Sequence, residues 1–333
     1  MSSPRKTAVL GANSFSGQDF VDLLLDDPDH EVIGISRSPQ RGPAFIRHLE
    51  RLPGGRYSYH AIDMNEGIDE LLSLLDAEQP QWIVNFAAQS EVAPSWDNPH
   101  HWFQTNCVAL ARLVNHLRNA DYLERYLHVS SPEVYGTCEG VVTEDAPFNV
   151  STPYAASKAA ADMLLETYRC QFAFPLLTVR ATNVYGPGQQ LFKIIPRSVL
   201  YVRSGRRISL HGGGVAVKSY IHIRDVSRGE LAILEAGQLG EIYHLSPDEG
   251  VSVRQVVEAV CRKLDVDFAD AVEVVDERPG QDAAYVIDSA KVREELGWSP
   301  TIGFSEGIDD VIQWVDENWD VLRQESWNYE HKA

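Results

Sequence analysis

Tyr154 and Lys158 stand four residues apart in Tyr154-Ala155-Ala156-Ser157-Lys158, a spacing that brings a phenol and an ammonium to one face of a helix. A cation beside a phenol favours the phenolate and draws a pKa of about 10 toward working pH, so the tyrosine can act as a general base. Upstream, Ser131-Pro132-Glu133 offers a hydroxyl and a carboxylate in one short turn. Gly11-Ala12-Asn13-Ser14-Phe15-Ser16-Gly17 follows an apolar run and opens a helical pattern. In that context a glycine turn presents N–H groups to a pyrophosphate. Its middle glycine is replaced by Ser14. Beyond the second apolar run lies Ser36-Arg37-Ser38, without an acid. A carboxylate there would bond the adenosine ribose hydroxyls, whereas a cation favours a 2′-phosphate. This points to NADP, with NAD as the alternative. Asp63, just past an apparent third strand, is placed to accept from an adenine amino group.

The elements that must hold these groups are legible as apolar runs. Residues 7–10, 32–35, 82–86, 126–129 and 176–179 read as strands bounded by Gly, Ser, Asn or Pro, with helical patterns between most of them. Such alternation predicts a Rossmann-type, doubly wound parallel sheet covered on both faces, in an α/β protein. A long apolar stripe predicts one helix over 96–117, with Phe103, Val108, Leu110, Leu113, Val114 and Leu117 on it. A second helix follows Pro153 and carries the Tyr154–Lys158 pair. After Gly186-Pro187-Gly188 the alternation weakens, and amphipathic helices at 251–264 and 304–322 belong to a smaller C-terminal α/β lobe. The expected division is 1–187 for the dinucleotide unit, completed by part of 220–250, and 188–333 for the second lobe.

Composition narrows the partners. Apolar residues make up 44% and charged residues 23%, which is globular, and 48 Asp and Glu against 29 Lys and Arg give a net charge of −19. A nucleic-acid surface needs a basic face and is excluded; a nucleotide ligand needs only local cations and N–H groups. No 18-residue apolar window or signal segment is present, so no membrane association is expected. Cys107, Cys138, Cys170 and Cys261 are widely spaced with no CxxC, which fits reduced thiols in a cytoplasmic protein. His100 and His101 are adjacent, poorly spaced to share a metal, and no metal is expected.

Several motifs in order make the chain resemble the extended branch of the short-chain dehydrogenase/reductase superfamily: GANSFSG at 11–17, NFAAQS at 85–90, SSPEVYG at 130–136, YAASK at 154–158, RATNVYGPG at 180–188 and RPGQD at 278–282. Within that branch it is similar to the sugar-nucleotide 4,6-dehydratases acting on dTDP-glucose or GDP-mannose. The Ser-x-Glu turn decides this, because nucleotide-sugar 4-epimerases usually lack the carboxylate. The resemblance implies a lyase cycle. Tyr154 deprotonates the C4 hydroxyl, Lys158 assists it and holds the ribose, Ser131 bonds the O4 region, and Glu133 removes the C5 proton before the C6 hydroxyl leaves. In the dTDP-glucose enzymes an Asp between Thr and Glu protonates the leaving hydroxyl. Here it is Pro132, which cannot, and the GDP-mannose enzymes also lack that Asp. A product that stops at a 5,6-alkene therefore stays open.

The resemblance adds Ala87 and Ala88 to the cofactor contacts. It assigns Gln89, Ser90, Asn183, Lys193, Lys218, His244, Arg278 and Gln281 to a nucleotide-diphosphate hexose held in the 188–333 lobe. It also implies a homodimer through helices 96–117 and 154–173. Alternative readings are a 4-epimerase, a uronic acid decarboxylase, whose tyrosine segment differs from YAASK, and a catalytically silent NADP-binding protein.

Overall fold

The computed structural model describes residues 4–51, 54–137, 140–276 and 286–332. Seven parallel strands form the main sheet: β1 (Arg5–Leu10), β2 (His30–Ser36), β3 (Tyr57–Ala61), β4 (Trp82–Asn85), β5 (Arg125–Val129), β6 (Leu176–Ala181) and β7 (Ile242–Leu245). Their order is β3-β2-β1-β4-β5-β6-β7. All five strands read from the apolar runs lie in this sheet. β3 is the apparent strand before Asp63, and β7 joins the sheet from far beyond residue 187.

Alternation along the buried strands sends side chains to both faces. From β1, Ala8 and Leu10 pack with Ile68, Leu71 and Leu75 of α2 (Ile68–Glu78), while Val9 packs opposite with Phe20, Val21 and Leu24 of α1 (Phe15–Leu24). A strand buried on both faces carries continuous apolar sequence, as 8–10 of β1 and 82–84 of β4 do. The sheet order reverses between β1 and β4, and in such folds the crevice at that switch is where a ligand binds.

The expected helix over 96–117 runs without interruption over 99–117 and carries a π-helical turn inside it. Residues Ala93–Trp96 form a 3₁₀ turn, α3 runs over Pro99–Phe103, a π-helical turn covers Gln104–Ala109, and α4 is Leu110–Leu117. Pro99 begins α3 because its missing N–H and fixed φ suit a first helical turn. Leu110, Leu113, Val114 and Leu117 are buried as the stripe requires, but Phe103 and Val108 face outward. α5 (Pro153–Phe172) begins at Thr152, whose side chain accepts from the Ala155 N–H.

A separate apolar cluster lies beyond the sheet and takes in Ala44, Phe45 and Ile46 from the loop after β2. It joins Ile195, Val199 and Leu200 of α6 (Ile194–Arg203) to Val256 and Val260 of the helix Val253–Lys263 and Val311 of the helix Phe304–Glu317. The expected helix to 322 stops at Glu317, and Trp319–Leu322 is a short turn of its own. Among the described residues no helix is long and apolar enough to cross a membrane.

Candidate active site

The glycine turn closes the end of β1. Gly11 has φ +85°, and a Cβ on it would stand 2.9 Å from the Ala87 nitrogen; one on Gly17 would stand 2.2 Å from the Gly11 carbonyl oxygen. Neither position has room for a side chain, so the β1 turn, the start of α1 and the segment after β4 pack directly on one another; Gly11 lines the cavity below and Gly17 does not. Ser14 caps α1 by accepting from the Gly17 N–H at 3.0 Å, which replaces the missing glycine with a hydrogen-bonded turn. A cavity of ≈ 250 Å³ opens here, lined by Gly11, Ser14, Ser36, Arg37, Asp63, Ala87 and Ala88. Phe15 and Ser16 line the adjoining larger cavity. Gln89, expected on the substrate, lines the cofactor cavity instead.

Sequence reasoning missed Arg41 in this wall and gave no role of their own to Asn13 and Ser38, which lie within the two stretches it read. Asn13 accepts from the Arg41 N–H at 2.9 Å and donates to Ser38 Oγ at 3.1 Å, folding the loop after β2 back on the glycine turn. Arg41 lies 3.3 Å over the Phe45 ring, and burial draws its pKa down. The signal was present as a second arginine in the same loop, but its return to the groove depends on this hydrogen bonding. Asp63 is the one carboxylate lining the cavity among the described residues, and its Oδ1 accepts from the Asn65 N–H at 2.7 Å. These groups fit a dinucleotide: Gly11 lining the cavity beside a helix N-terminus, with two arginines at the ribose end.

The second cavity, ≈ 770 Å³, is lined by Ser131, Glu133 and Tyr154 together with Ser90, Asn183, Lys193 and Lys218. Ser131 and Glu133 reach it from a 3₁₀ turn, Pro132–Tyr135, that follows β5. Ser131 Oγ accepts from the Glu133 N–H at 3.2 Å, and the hydroxyl also hydrogen-bonds the Tyr154 side chain. Burial raises the Tyr154 pKa above its ordinary value; the Ser131 bond opposes this, and the charges of Glu133, Glu91 and Asp162 reinforce it. The chain by itself therefore keeps the phenol protonated, and a cationic ligand group beside Tyr154 would favour the phenolate.

Lys158 is buried one turn further along α5, where its Nζ donates to the Val129 carbonyl at 2.8 Å. Burial pulls its pKa down to about 8, and the carboxylate of Asp162 and the thiol of Cys107 oppose that pull. Asp162 accepts from Ser130 Oγ at 2.6 Å and Arg180 Nη2 at 2.7 Å, and its Oδ1 lies 3.4 Å from His128 Nε2. Burial works to raise this carboxyl, but the bond from His128 and the Arg180 charge hold it below the ordinary carboxylate range.

Not every expected residue arrives. His244 is fully buried in β7, with Tyr135 Oη 2.8 Å from Nε2 and the Asp288 carbonyl 2.9 Å from Nδ1. It lies behind Tyr135 and outside the cavity, so a sheet strand has claimed the position expected to reach substrate. Arg278 and Gln281 lie outside the described residues. Lys193 is paired bidentately with Glu91 at 2.8 and 3.0 Å. Arg197, one helical turn after Lys193, also lines the cavity. No cluster of three metal-ligating side chains occurs among the described residues.

Known proteins share this architecture. A family model described as GDP-mannose 4,6 dehydratase matches residues 9–311. The dTDP-glucose 4,6-dehydratase of Xanthomonas campestris pv. campestris strain ATCC 33913 is 33% identical over 268 residues, covering 74% of this chain and 76% of that protein. The dTDP-D-glucose 4,6-dehydratase of Bos taurus is 29% identical over 330 residues, covering 97% and 90%. The crystal structure of the dTDP-glucose 4,6-dehydratase DesIV from Streptomyces venezuelae, with NAD bound, superposes with a TM-score of 0.85 at 30% identity, covering 95% of this chain and 98% of that one.

Asp162 carries a prediction. Catalysis that needs Lys158 as a cation is lost as pH rises through the Lys158 pKa. Asp162→Asn removes the opposing charge, so the alkaline limb of the kcat–pH profile should move down by about one pH unit. A uniform fall in kcat without that movement would assign Asp162 a purely structural role.

Proposed function

The chain belongs to the GDP-mannose 4,6-dehydratase family, within the extended short-chain dehydrogenases/reductases, and is a nicotinamide-dependent nucleotide-hexose 4,6-dehydratase; we propose how its residues divide the work. The observation that carries the reading is the meeting of Ser131, Glu133 and Tyr154 on one cavity, with Tyr154 and Ser131 hydrogen-bonded and Lys158 behind them.

Tyr154, as the phenolate that the positive charge of a bound oxidised nicotinamide would favour, takes the proton of the C4 hydroxyl, and Ser131 steadies the oxygen that becomes the ketone. A bound nicotinamide supplies hydride transfer, from C4 and back to C6. The new ketone acidifies C5, and Glu133 removes that proton. With Pro132 in place of an acid, Glu133 then hands a proton to the departing C6 oxygen, which leaves as water, and hydride return to C6 is balanced by a solvent proton taken up at C5. An epimerase needs no base at C5, so the half-buried Glu133 carboxylate beside Tyr154 favours dehydration over epimerisation. Lys193, Lys218 and the newly found Arg197 are proposed to meet the substrate diphosphate, and Ser90 and Asn183 the sugar end. The 188–333 lobe, with the sheet completed from 220–250, is proposed as the sugar-nucleotide unit.

NADP is the proposed cofactor, although DesIV was solved with NAD. Ser36, Arg37, Ser38 and Arg41 line the end of the groove where a 2′-phosphate would lie. A cytoplasmic setting is consistent with unpaired thiols at Cys107, Cys170 and Cys261. A homodimer is proposed through α3, the π turn and α5, whose Phe103, Val108, Met163 and Phe172 are 39%, 47%, 60% and 45% exposed.

Incubation with GDP-, UDP- and dTDP-hexoses in D2O, followed by mass spectrometry, should show loss of water and deuterium at C5; an isomer of unchanged mass would overturn dehydration. Glu133→Gln should stall after oxidation and accumulate reduced nicotinamide, and full turnover would remove Glu133 from the mechanism. Gentle denaturation should release NADP, and Arg37→Ala with Arg41→Ala should shift preference toward NAD by about tenfold or more. Recovery of NAD alone would overturn the arginine assignment. Sedimentation at micromolar concentration should give a dimer, and a monomer would remove the proposed interface.

A further inference from the structure

The last described residues of the chain cross the cofactor groove. The Lys332 carbonyl oxygen accepts from Gln89 Nε2 at 2.7 Å and from Arg37 Nη1 at 3.2 Å. Arg37 follows β2 and Gln89 follows β4, and β1 with its glycine turn lies between those two strands. One carbonyl held from both rims therefore spans the opening above the glycine turn. Its two lone pairs allow both bonds at once.

The approach to that point is also built. The His331 ring stacks on Trp102 with centroids 5.1 Å apart and planes 9° apart, and Trp102 is fully buried. Both imidazole nitrogens are engaged: Nε2 lies 2.8 Å from His101 Nδ1, and Nδ1 lies 2.9 Å from Tyr329 Oη. The Tyr329 ring meets Phe192 edge-on at 5.3 Å, and Tyr329 lines the larger cavity. The segment thus touches the cofactor rim, α3 and Phe192 beside the larger cavity. Sequence reading found no use for His101, His331 or Tyr329, and the cycle above uses none of them.

We propose that residues Tyr329–Lys332 form the outer wall of the dinucleotide site and close over the cofactor lying on the glycine turn. The inference rests on the dinucleotide reading of the groove. Its chemical purpose follows from a cycle that must return to C6 the hydride taken from C4. A reduced cofactor that escapes mid-cycle strands an oxidised intermediate, so a wall that slows escape protects every turnover.

The test compares the full chain with a variant ending at Trp327, which keeps the Trp327 indole on the Leu322 carbonyl. Release of bound NADPH, followed by its fluorescence after mixing with excess NADP, should be about tenfold faster from the shortened chain. Equal or slower release would overturn the proposal. Amide exchange on the full chain covers the case in which the shortened chain does not fold. Residues 329–332 should gain protection on adding NADP, whereas unchanged or lost protection would overturn the wall, loss marking the segment as a plug that the cofactor expels. A full chain that binds neither NADP nor NAD would overturn the dinucleotide reading and the wall with it.

Discussion

Asp162 is an ionised carboxylate withdrawn from water, and the catalytic end of the molecule is arranged around it. It joins α5, β5 and β6 at one point, through Ser130 and His128 on one side and Arg180 on the other. Arg180 extends the joint by donating to the Tyr135 hydroxyl, and Tyr135 contacts His244 of β7. Tyr135 ends the turn that carries Ser131 and Glu133, while Asp162 lies two turns along α5 from Tyr154. The relative placement of phenol, hydroxyl and carboxylate is thus fixed through buried charge. Such a pair adds little net stability over an apolar replacement, yet removing one partner leaves an uncompensated charge at a cost of about 3–5 kcal/mol. Its contribution is to geometry and to keeping Lys158 charged.

A second constraint runs from the cofactor floor to the same helix. Gly11 and Gly17 let the β1 turn, the α1 start and the segment after β4 approach too closely for side chains. That segment is held in turn by Asn106, which accepts from the Gln89 N–H at 2.9 Å and donates to the Gln89 carbonyl at 3.0 Å and to Ser157 Oγ at 2.9 Å. Asn106 can reach both because it lies in the π turn, where an extra residue per turn re-aims a side chain. The π turn within the long helix is therefore what couples the segment after β4 to the helix bearing Tyr154.

Features governed by local rules were readable in the sequence. Continuous apolar strands, a glycine turn before a helix, and a tyrosine–lysine pair at helical spacing each follow from short-range chemistry, and the sheet carries all of them. Features set by tertiary contact were not. Nothing local marks Asn106 as a residue of a π turn, Arg41 as a residue that folds back to the groove, or His331 as a ring that will stack on Trp102. His244 shows the converse: its motif position suggested substrate, but the register of β7 beside β6 turned it toward Tyr135. Lys193 was legible as a cation and illegible as the partner of Glu91, because the two are brought together from different units of the fold.

That last pair also reconciles the net charge of −19 with an anionic ligand. A lone ammonium in a half-enclosed cavity of an acidic protein would draw in counter-ions or shift its pKa. Glu91 satisfies Lys193 in their place, while Arg197 and Lys218 line the same cavity. On the proposed assignment, a diphosphate entering there would offer Lys193 a stronger acceptor than one carboxylate, and the exchange would keep the lysine paired throughout. The displaced Glu91 carboxylate would then face the sugar side, near enough that its charge already acts on Tyr154. Two carboxylates, Glu91 and Glu133, would line the end of the cavity where the hexose reacts. Their like charge favours a neutral hexose there and opposes a C6 carboxylate, by the same Coulomb repulsion that raises the Tyr154 pKa.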